Sequence, residues 1–217
     1  MIYKNALVYL ERFLLQSRKG GFVMIKIALG TSNPNKLAEI NEILQEVNGI
    51  EFVLVDGNFN PAENGVSFEE NSYIKAAEAA RIMGIPALAD DTGLCVDALN
   101  GRPGLYSARY APDQKSKIDK LLSEMNNVPP SKRSAYFICT MTLVAPDGTK
   151  LYSQTGQING LISECAVGGN GFGYDPIFYI PDLNKTMAEM TLEEKNTLSH
   201  RAKALKPMVE WIKNNIE

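Results

Sequence analysis

One histidine, one tryptophan and three cysteines are all that this chain of 217 residues holds of those types. The single histidine, His200, excludes His-x-x-x-His zinc sites, three-histidine metal centres and His–His proton relays by count alone. Cys95, Cys139 and Cys165 are odd in number and contain no Cys-x-x-Cys, so neither a disulfide framework nor a thiolate zinc site is expected. A reducing cytoplasm fits that usage, and any metal must sit on oxygen ligands. Net charge is also scarce. Lys and Arg number 22 against 25 Asp and Glu, a formal charge of −3, which gives no bulk attraction to nucleic acid or to an anionic membrane. Neither is expected as a partner, and a polyanion would have to be met by a local cluster. No stretch approaches the roughly 18 uninterrupted apolar residues of a membrane span, and no repeat of fixed period is visible. What is plentiful is apolar side chain, 45% of the total, enough to bury a real core in one or two domains.

Residues 1–23 read apart from the rest. Tyr3, Leu7, Leu10, Phe13 and Leu14 recur at helical spacing, but Glu11 and Arg12 interrupt them and no small-residue cleavage site follows. They are read as a short amphipathic helix or an unfolded leader, dispensable to a domain spanning 24–217. Gly20-Gly21 breaks the chain and Met24 is an alternative start. From Met24 strands and helices alternate. Ile25 to Leu29 reads as a strand, and Leu37, Ile40, Ile43, Leu44 and Val47 mark one face of the helix after it. A short strand, Phe52 to Val55, precedes an irregular segment. Ser67-Phe68-Glu69-Glu70 matches a capping box that opens a helix to about Met83, ended by Gly84 and Pro86. Leu94 to Leu99 reads as a strand stopped by the hairpin signal Asn100-Gly101. Residues 114–125 look helical. Tyr136 to Val144 and Leu151 to Gln157 read as an antiparallel pair across Asp147-Gly148. A C-terminal helix from Ser199 contains Pro207, which is expected to kink it.

Four places carry chemistry. In Thr31-Ser32-Asn33-Pro34-Asn35-Lys36, hydroxyl and amide side chains and a lysine open a helix, where free N–H groups and the helix dipole favour an anion. The segment lacks the second glycine of a Walker A loop, and an ordinary N-cap with a solvated lysine is the plain alternative. Glu63, Asp90 and Asp91 form an acidic group. Adjacent carboxylates at the end of an apolar run are costly unless a cation or hydrogen-bond donors compensate. In an extended segment they face opposite sides, one toward a metal or water, the other toward a lysine or backbone; Asp-Asp-Thr-Gly is equally good turn chemistry. Asn71, Lys75 and Glu78 make a polar helical stripe opposite an alanine face, ordinarily the wet side. Last comes Phe172-Gly173-Tyr174-Asp175, in which Gly171 and Gly173 flank Phe172, with Lys195, His200 and Arg201 downstream. A planar ligand could stack there and receive hydrogen bonds, although core packing for Phe172 and a structural role for His200 are the plainer readings.

Taken together these segments resemble one family. The blocks Thr31 to Lys36, Ser67 to Asn71 with Lys75, Ala89 to Leu94, Pro103 to Tyr110, Gly171 to Pro176 and Ser199-His200-Arg201 occur in the order and spacing of the inosine/xanthosine triphosphate pyrophosphatases. The resemblance covers Met24 to about Lys213. It implies a mixed α/β fold with a long central β-sheet and flanking helices, two lobes around a deep nucleotide-binding cleft, and a homodimer. It also implies hydrolysis of ITP, dITP and XTP with Mg2+ as cofactor. By the same resemblance Thr31, Ser32, Asn33, Pro34, Asn35 and Lys36 form the substrate-phosphate loop and Lys75 is a phosphate-side lysine. Glu63 and Asp91 are metal ligands, and Asp91 the proton acceptor with Asp90 beside it. Phe172, Gly173, Tyr174, Asp175, Lys195, His200 and Arg201 form the base pocket. Thr92, a substrate-side residue, stands where many members carry serine, which keeps the hydroxyl. The leader has no counterpart in the family pattern.

Physically, a nucleoside triphosphate brings about four negative charges that must be offset before its α-phosphorus accepts a nucleophile. Lys36, Lys75 and a divalent cation supply the offset, while Asp91 as base or as ligand remains open. Two other classes share parts of this pattern. A kinase needs a glycine-rich phosphate loop, which is missing, and a nucleotide-sensing module needs no paired carboxylates.

Overall fold

Apolar alternation makes Ile25–Leu29 a strand, as expected, and it lies second from one edge of a seven-stranded sheet. The structure, a computed structural model, describes residues 18–19, 22–45, 47–55 and 59–215. In chain order its elements are strands β1 (Arg18–Lys19), β2 (Phe22–Val23) and β3 (Ile25–Leu29), helix α1 (Pro34–Leu44), strand β4 (Ile50–Leu54), helix α2 (Phe68–Met83), strand β5 (Ala87–Val96) and helix α3 (Gln114–Glu124). There follow strands β6 (Ser134–Val144), β7 (Lys150–Ile162), β8 (Phe178–Ile180) and β9 (Lys185–Thr186), then helices α4 (Leu192–Leu198) and α5 (His200–Asn215). The sheet order is β4-β3-β5-β6-β7-β8-β9, with parallel pairs at β3–β4 and β3–β5 and antiparallel ones at β7–β8 and β8–β9. This is a mixed α/β fold. The expected leader helix over Tyr3 to Leu14 and the Gly20-Gly21 break lie outside the described residues. Within the leader, Arg18 pairs with Val23 and Lys19 with Phe22 in a short antiparallel ladder that the sequence reading missed.

Two compact units share the chain: Met1–Asp91, Thr140–Thr155 and Ala204–Glu217 form the first, Thr92–Cys139 and Gly156–Lys203 the second. In the first, α2 begins at Ser67, whose Oγ accepts from the Glu70 N–H at 3.1 Å. The reciprocal arm of the expected capping box is displaced by one residue, because the Glu70 carboxylate accepts from Val66 N–H at 2.8 Å. Ala76, Ala79 and Ala80 are fully buried on the helix face that meets the sheet. The approach is close: a Cβ on Gly30 would stand 3.1 to 3.2 Å from the Ala89 and Ala79 side chains and the Lys75 carbonyl. Small residues thus bring the helix axis near the C-terminal end of β3 and the first half of β5, within side-chain reach of the strand carboxylates. Hydroxyl pairs Thr140–Thr155 at 2.9 Å and Thr142–Ser153 at 3.2 Å link β6 and β7 in opposite directions, as the expected hairpin requires, and Thr142 also meets Ser72 of α2 at 2.6 Å.

The second unit packs Leu94, Val96, Leu121, Phe137, Ile162, Ile177 and Phe178 into one core. Asp113 caps α3 by accepting from Ser116 N–H at 2.8 Å. Arg133 is buried because its guanidinium donates to the carbonyls of Ile162, Met125, Val128 and Ser163, closing the ends of several chain segments. Two local readings fail here and in β5. Asp90-Asp91-Thr92-Gly93 is no turn but the centre of a ten-residue strand. After Val96 the chain reverses through a 3-10 turn at Asp97–Leu99 with Asn100 at φ 53°, not through the two-residue hairpin expected at Asn100-Gly101. An isolated antiparallel bridge, Cys95–Pro103, and a bond from Val96 N–H to the Arg102 carbonyl at 3.3 Å continue the pairing, which proline, having no N–H, cannot extend. Helix α5 starts as expected and continues past Pro207 to Asn215.

Candidate functional site

In the first unit β5 places two carboxylates side by side, and each finds a different lysine. Asp90 Oδ2 lies 2.9 Å from Lys36 Nζ, while Asp91 Oδ1 lies 3.3 Å from Lys75 Nζ. Strand alternation explains the split, because neighbouring residues of an extended chain face opposite sides. Lys75 also donates to Glu63 Oε1 at 2.6 Å, so one ammonium joins the irregular loop to the strand. Asn71, one helical turn before Lys75, donates to the other Asp91 oxygen, Oδ2, at 3.1 Å. The polar stripe of α2 is therefore not its wet side: Asn71 and Lys75 are 1% and 8% exposed. Glu78 alone stays outward, bonded to Arg81 at 2.7 and 2.8 Å.

Three carboxylates against two ammoniums leave the cluster of Glu63, Asp90, Asp91, Lys36 and Lys75 with one surplus negative charge. Burial pushes the Asp91 carboxyl above the usual aspartate range; Lys75 and Lys36 pull it back only in part, and Glu63 pushes it further up. Burial also works against the Lys75 ammonium. The charges of Asp90 and Asp91 and the bond to Glu63 outweigh it and hold the Lys75 pKa above the usual lysine value. Among the described residues no group of three or more His, Cys, Asp and Glu side chains is arranged to cage a metal. The donor set that is present, Glu63 and Asp91, is all oxygen, and one or two carboxylates completed by water and substrate phosphates is how Mg2+ is ordinarily held.

The Thr31 to Lys36 segment realises part of the plain reading. Asn33 caps α1, its side-chain oxygen accepting from the Asn35 and Lys36 N–H groups at 3.0 and 3.3 Å, and Thr31 Oγ1 accepts from Asn33 N–H at 3.3 Å. Pro34 opens the helix, and Ser32, Pro34 and Asn35 are exposed. Lys36 is not solvated, since it turns inward to Asp90.

The second unit gathers the downstream residues. Asp175 is 2% exposed, and its Oδ2 accepts from Lys195 Nζ at 2.6 Å and from Phe172 N–H at 2.8 Å. Gly171 sits at φ 72°, and a Cβ there would collide with the Asp175 carboxylate, so the glycine is required twice over. The Phe172 ring is half-buried, with Lys195 Nζ 4.9 Å and Arg201 Cζ 5.8 Å from its centre. Arg201 also donates to Thr92 Oγ1 at 3.3 Å. His200 is buried and stacks on Phe137 at 4.8 Å, and Tyr174 is buried with its hydroxyl donating to the Ser107 carbonyl at 3.1 Å. Those two rings shape the segment from within the core. Sequence reasoning missed Phe137 and Gln114, whose Oε1 accepts from Gly173 N–H at 3.2 Å. Neither carries a local signal. Among the described residues no helix is long and apolar enough to cross a membrane.

A model of the Ham1 family matches residues 27–211. The dITP/XTP pyrophosphatase of Yersinia pseudotuberculosis serotype I is 46% identical over 198 residues, covering 88% of this chain and 100% of that protein. The dITP/XTP pyrophosphatase of Geobacter sulfurreducens is 46% identical over 190 residues, 84% of this chain and 94% of its own. A solved HAM1 protein from Coxiella burnetii is similar in structure, with a TM-score of 0.78 at 38% identity, over 88% of this chain and 100% of that one.

Proposed function

The chain belongs to the Ham1 family, and from that premise we propose that it is a nucleoside triphosphate pyrophosphatase acting on deaminated purine nucleotides. ITP, dITP and XTP are hydrolysed to the nucleoside monophosphate and pyrophosphate, which keeps them out of DNA and RNA. The observation that carries this reading is the group of buried Asp90 and Asp91 and half-buried Glu63 held by Lys36 and Lys75. A sensing module has no use for surplus buried carboxylate, and a kinase would need a phosphate loop that the Asn33-capped segment does not form.

Lys36 and Lys75 receive the triphosphate charge. Glu63 and Asp91 would hold a divalent cation, taken as Mg2+, which would neutralise phosphate oxygens and activate water. Asp91 takes a proton from the attacking water as the water oxygen bonds to the α-phosphorus; its raised pKa belongs to the metal-free site, and ligation to a cation would lower it. The bond from that phosphorus to the bridging oxygen breaks, and pyrophosphate leaves. In the second unit Phe172 offers a face for stacking a base, while Lys195 and Arg201 offer donors to a purine carbonyl. A homodimer and a cytoplasmic location belong to the same proposal; sedimentation at micromolar concentration reads the first.

Adenine presents an amino donor at position 6 where hypoxanthine and xanthine present a carbonyl, so donors in the pocket reject it by being left unpaired. Guanine shares the carbonyl and must be refused at its 2-amino group. In a panel with Mg2+, ITP, dITP and XTP are expected to release pyrophosphate well ahead of GTP and ATP. Arg201→Ala is expected to narrow the ratio of kcat/KM between ITP and ATP. Equal kcat/KM for ATP and ITP in the intact protein would overturn the assignment of substrate, and a phosphorylated acceptor would point to the kinase.

A chain beginning at Met24 is expected to fold and turn over like the full one, because the family match starts only at residue 27 and β3 begins at Ile25. Circular dichroism and pyrophosphate release on the shortened chain check this; loss of either shows that residues 1–23 are needed.

A further inference from the structure

Helix α2 sends two polar side chains, one turn apart, to the same carboxylate. Lys75 ties Asp91 Oδ1 to Glu63, whereas Asn71 ties Asp91 Oδ2 to the backbone of the same loop, accepting from Gly65 N–H at 2.9 Å. We propose that Asn71 is a positioning residue that fixes the spacing and orientation of Glu63 and Asp91 for a divalent cation, a role that rests on the reading of those two carboxylates as its ligands.

Three features carry this. The Asn71 side chain donates at one end and accepts at the other within a site 1% exposed, and no other side chain of that length has both functions in one plane. The loop is pressed onto it: a Cβ on Gly65 would come within 2.8 Å of Asn71 Oδ1 and 2.7 Å of Glu70 Cβ, so the loop carrying Glu63 approaches α2 only through a glycine. Finally, the two contacts made by Asn71 avoid the oxygens on which Lys75 sits. A cation held by Glu63 and Asp91 would compete with the Lys75 ammonium for those two carboxylates. The Asn71 bonds need not change in that exchange, so they are what preserves the geometry through it. Partners that orient ligating carboxylates in this way commonly matter to metal affinity by roughly 10- to 100-fold.

Mn2+ alone is the probe, with free ion followed by electron paramagnetic resonance on the full chain. Asn71→Leu, which keeps the branched shape but can neither donate nor accept, is expected to weaken Mn2+ binding by roughly 10- to 100-fold. The metal concentration for half-maximal turnover should rise in step while the KM for ITP at saturating metal stays unchanged. Gly65→Ala, which pushes the loop off Asn71, is expected to move both quantities in the same direction and serves where Asn71→Leu does not fold. A purely structural role would lower stability and turnover at every metal concentration without moving the Mn2+ affinity. A folded variant of either kind that binds Mn2+ as tightly as the parent overturns the proposal. Asp91→Asn and Glu63→Gln are measured beside them. If these lose Mn2+ while Asn71→Leu keeps it, only the role of Asn71 falls; if these too keep it, the ligand reading falls, and the role of Asn71 with it.

Discussion

Asp91→Asn is expected to lower turnover by on the order of 10² to 10⁴, the range for loss of a general base or of a ligand to the catalytic ion. The substitution keeps the shape, and the folded protein should survive it. Burial raises the Asp91 pKa in the native state, so the native state binds that proton more tightly than the unfolded one does. The stability that this contributes is complete below the ordinary aspartate pKa and is lost as pH rises through the higher native value. At neutral pH the ionised carboxylate is therefore a net cost to the metal-free fold. An asparagine there removes the cost, and the metal-free variant should melt no lower than the parent at pH 7 and gain least at acid pH. Near-normal turnover in a folded Asp91→Asn would remove Asp91 from the site. A marked drop in melting temperature would show that its pairing with Lys75 outweighs its burial.

Asp175→Ala should be the most damaging change in the second unit. Its carboxylate and the Lys195 ammonium are 3% and 4% exposed, 2.6 Å apart, and the same oxygen holds the Phe172 N–H. Breaking one side of a buried pair costs about 3–5 kcal/mol, because the remaining charge stays in a dry place without its counter-charge. The Phe172 ring also loses the backbone bond that sets its angle beneath Lys195 and Arg201. Chemical denaturation should show the stability loss. At a temperature where the variant is still folded, kcat/KM for ITP should fall more than any binding of inorganic pyrophosphate does, because the damage is at the base end. A variant as stable as the parent would mean that Lys195 finds other acceptors or reaches solvent.

The fold was legible where one residue pattern decides one element. Ile25 to Leu29, the α2 cap at Ser67 and the end of that helix at Gly84 follow from alternation, a hydroxyl and a left-handed glycine at φ 65°. Asp90-Asp91 was misread locally as a possible turn, since the lysines that make a buried strand tolerable there come from α1 and α2. Strands β8 and β9 are three and two residues long and exist through their pairing partners, not through any periodicity of their own. The resemblance named the candidate site residues and gave each a role, but not the pairing among them, Lys36 with Asp90 and Lys75 with Asp91 and Glu63. Nothing in the spacing of Asn71 and Lys75 tells a wet stripe from a buried clasp, and nothing near Tyr174 or His200 says that their rings belong to the core.

The Asn33 cap makes the α1 terminus an exchange site rather than an open hole. Its two best-placed N–H groups are already satisfied by the side chain of the same loop. An anion arriving there gains those bonds only by evicting an internal competitor that never diffuses away and is always at high local concentration. A small ion with nothing else to hold has little net gain, so ambient phosphate should leave the loop as it is. On the proposed reading of Thr31 to Lys36 as the substrate-phosphate loop, a polyphosphate tethered at its other end would complete the swap, and the loop would favour attached over free phosphate and let a released product go.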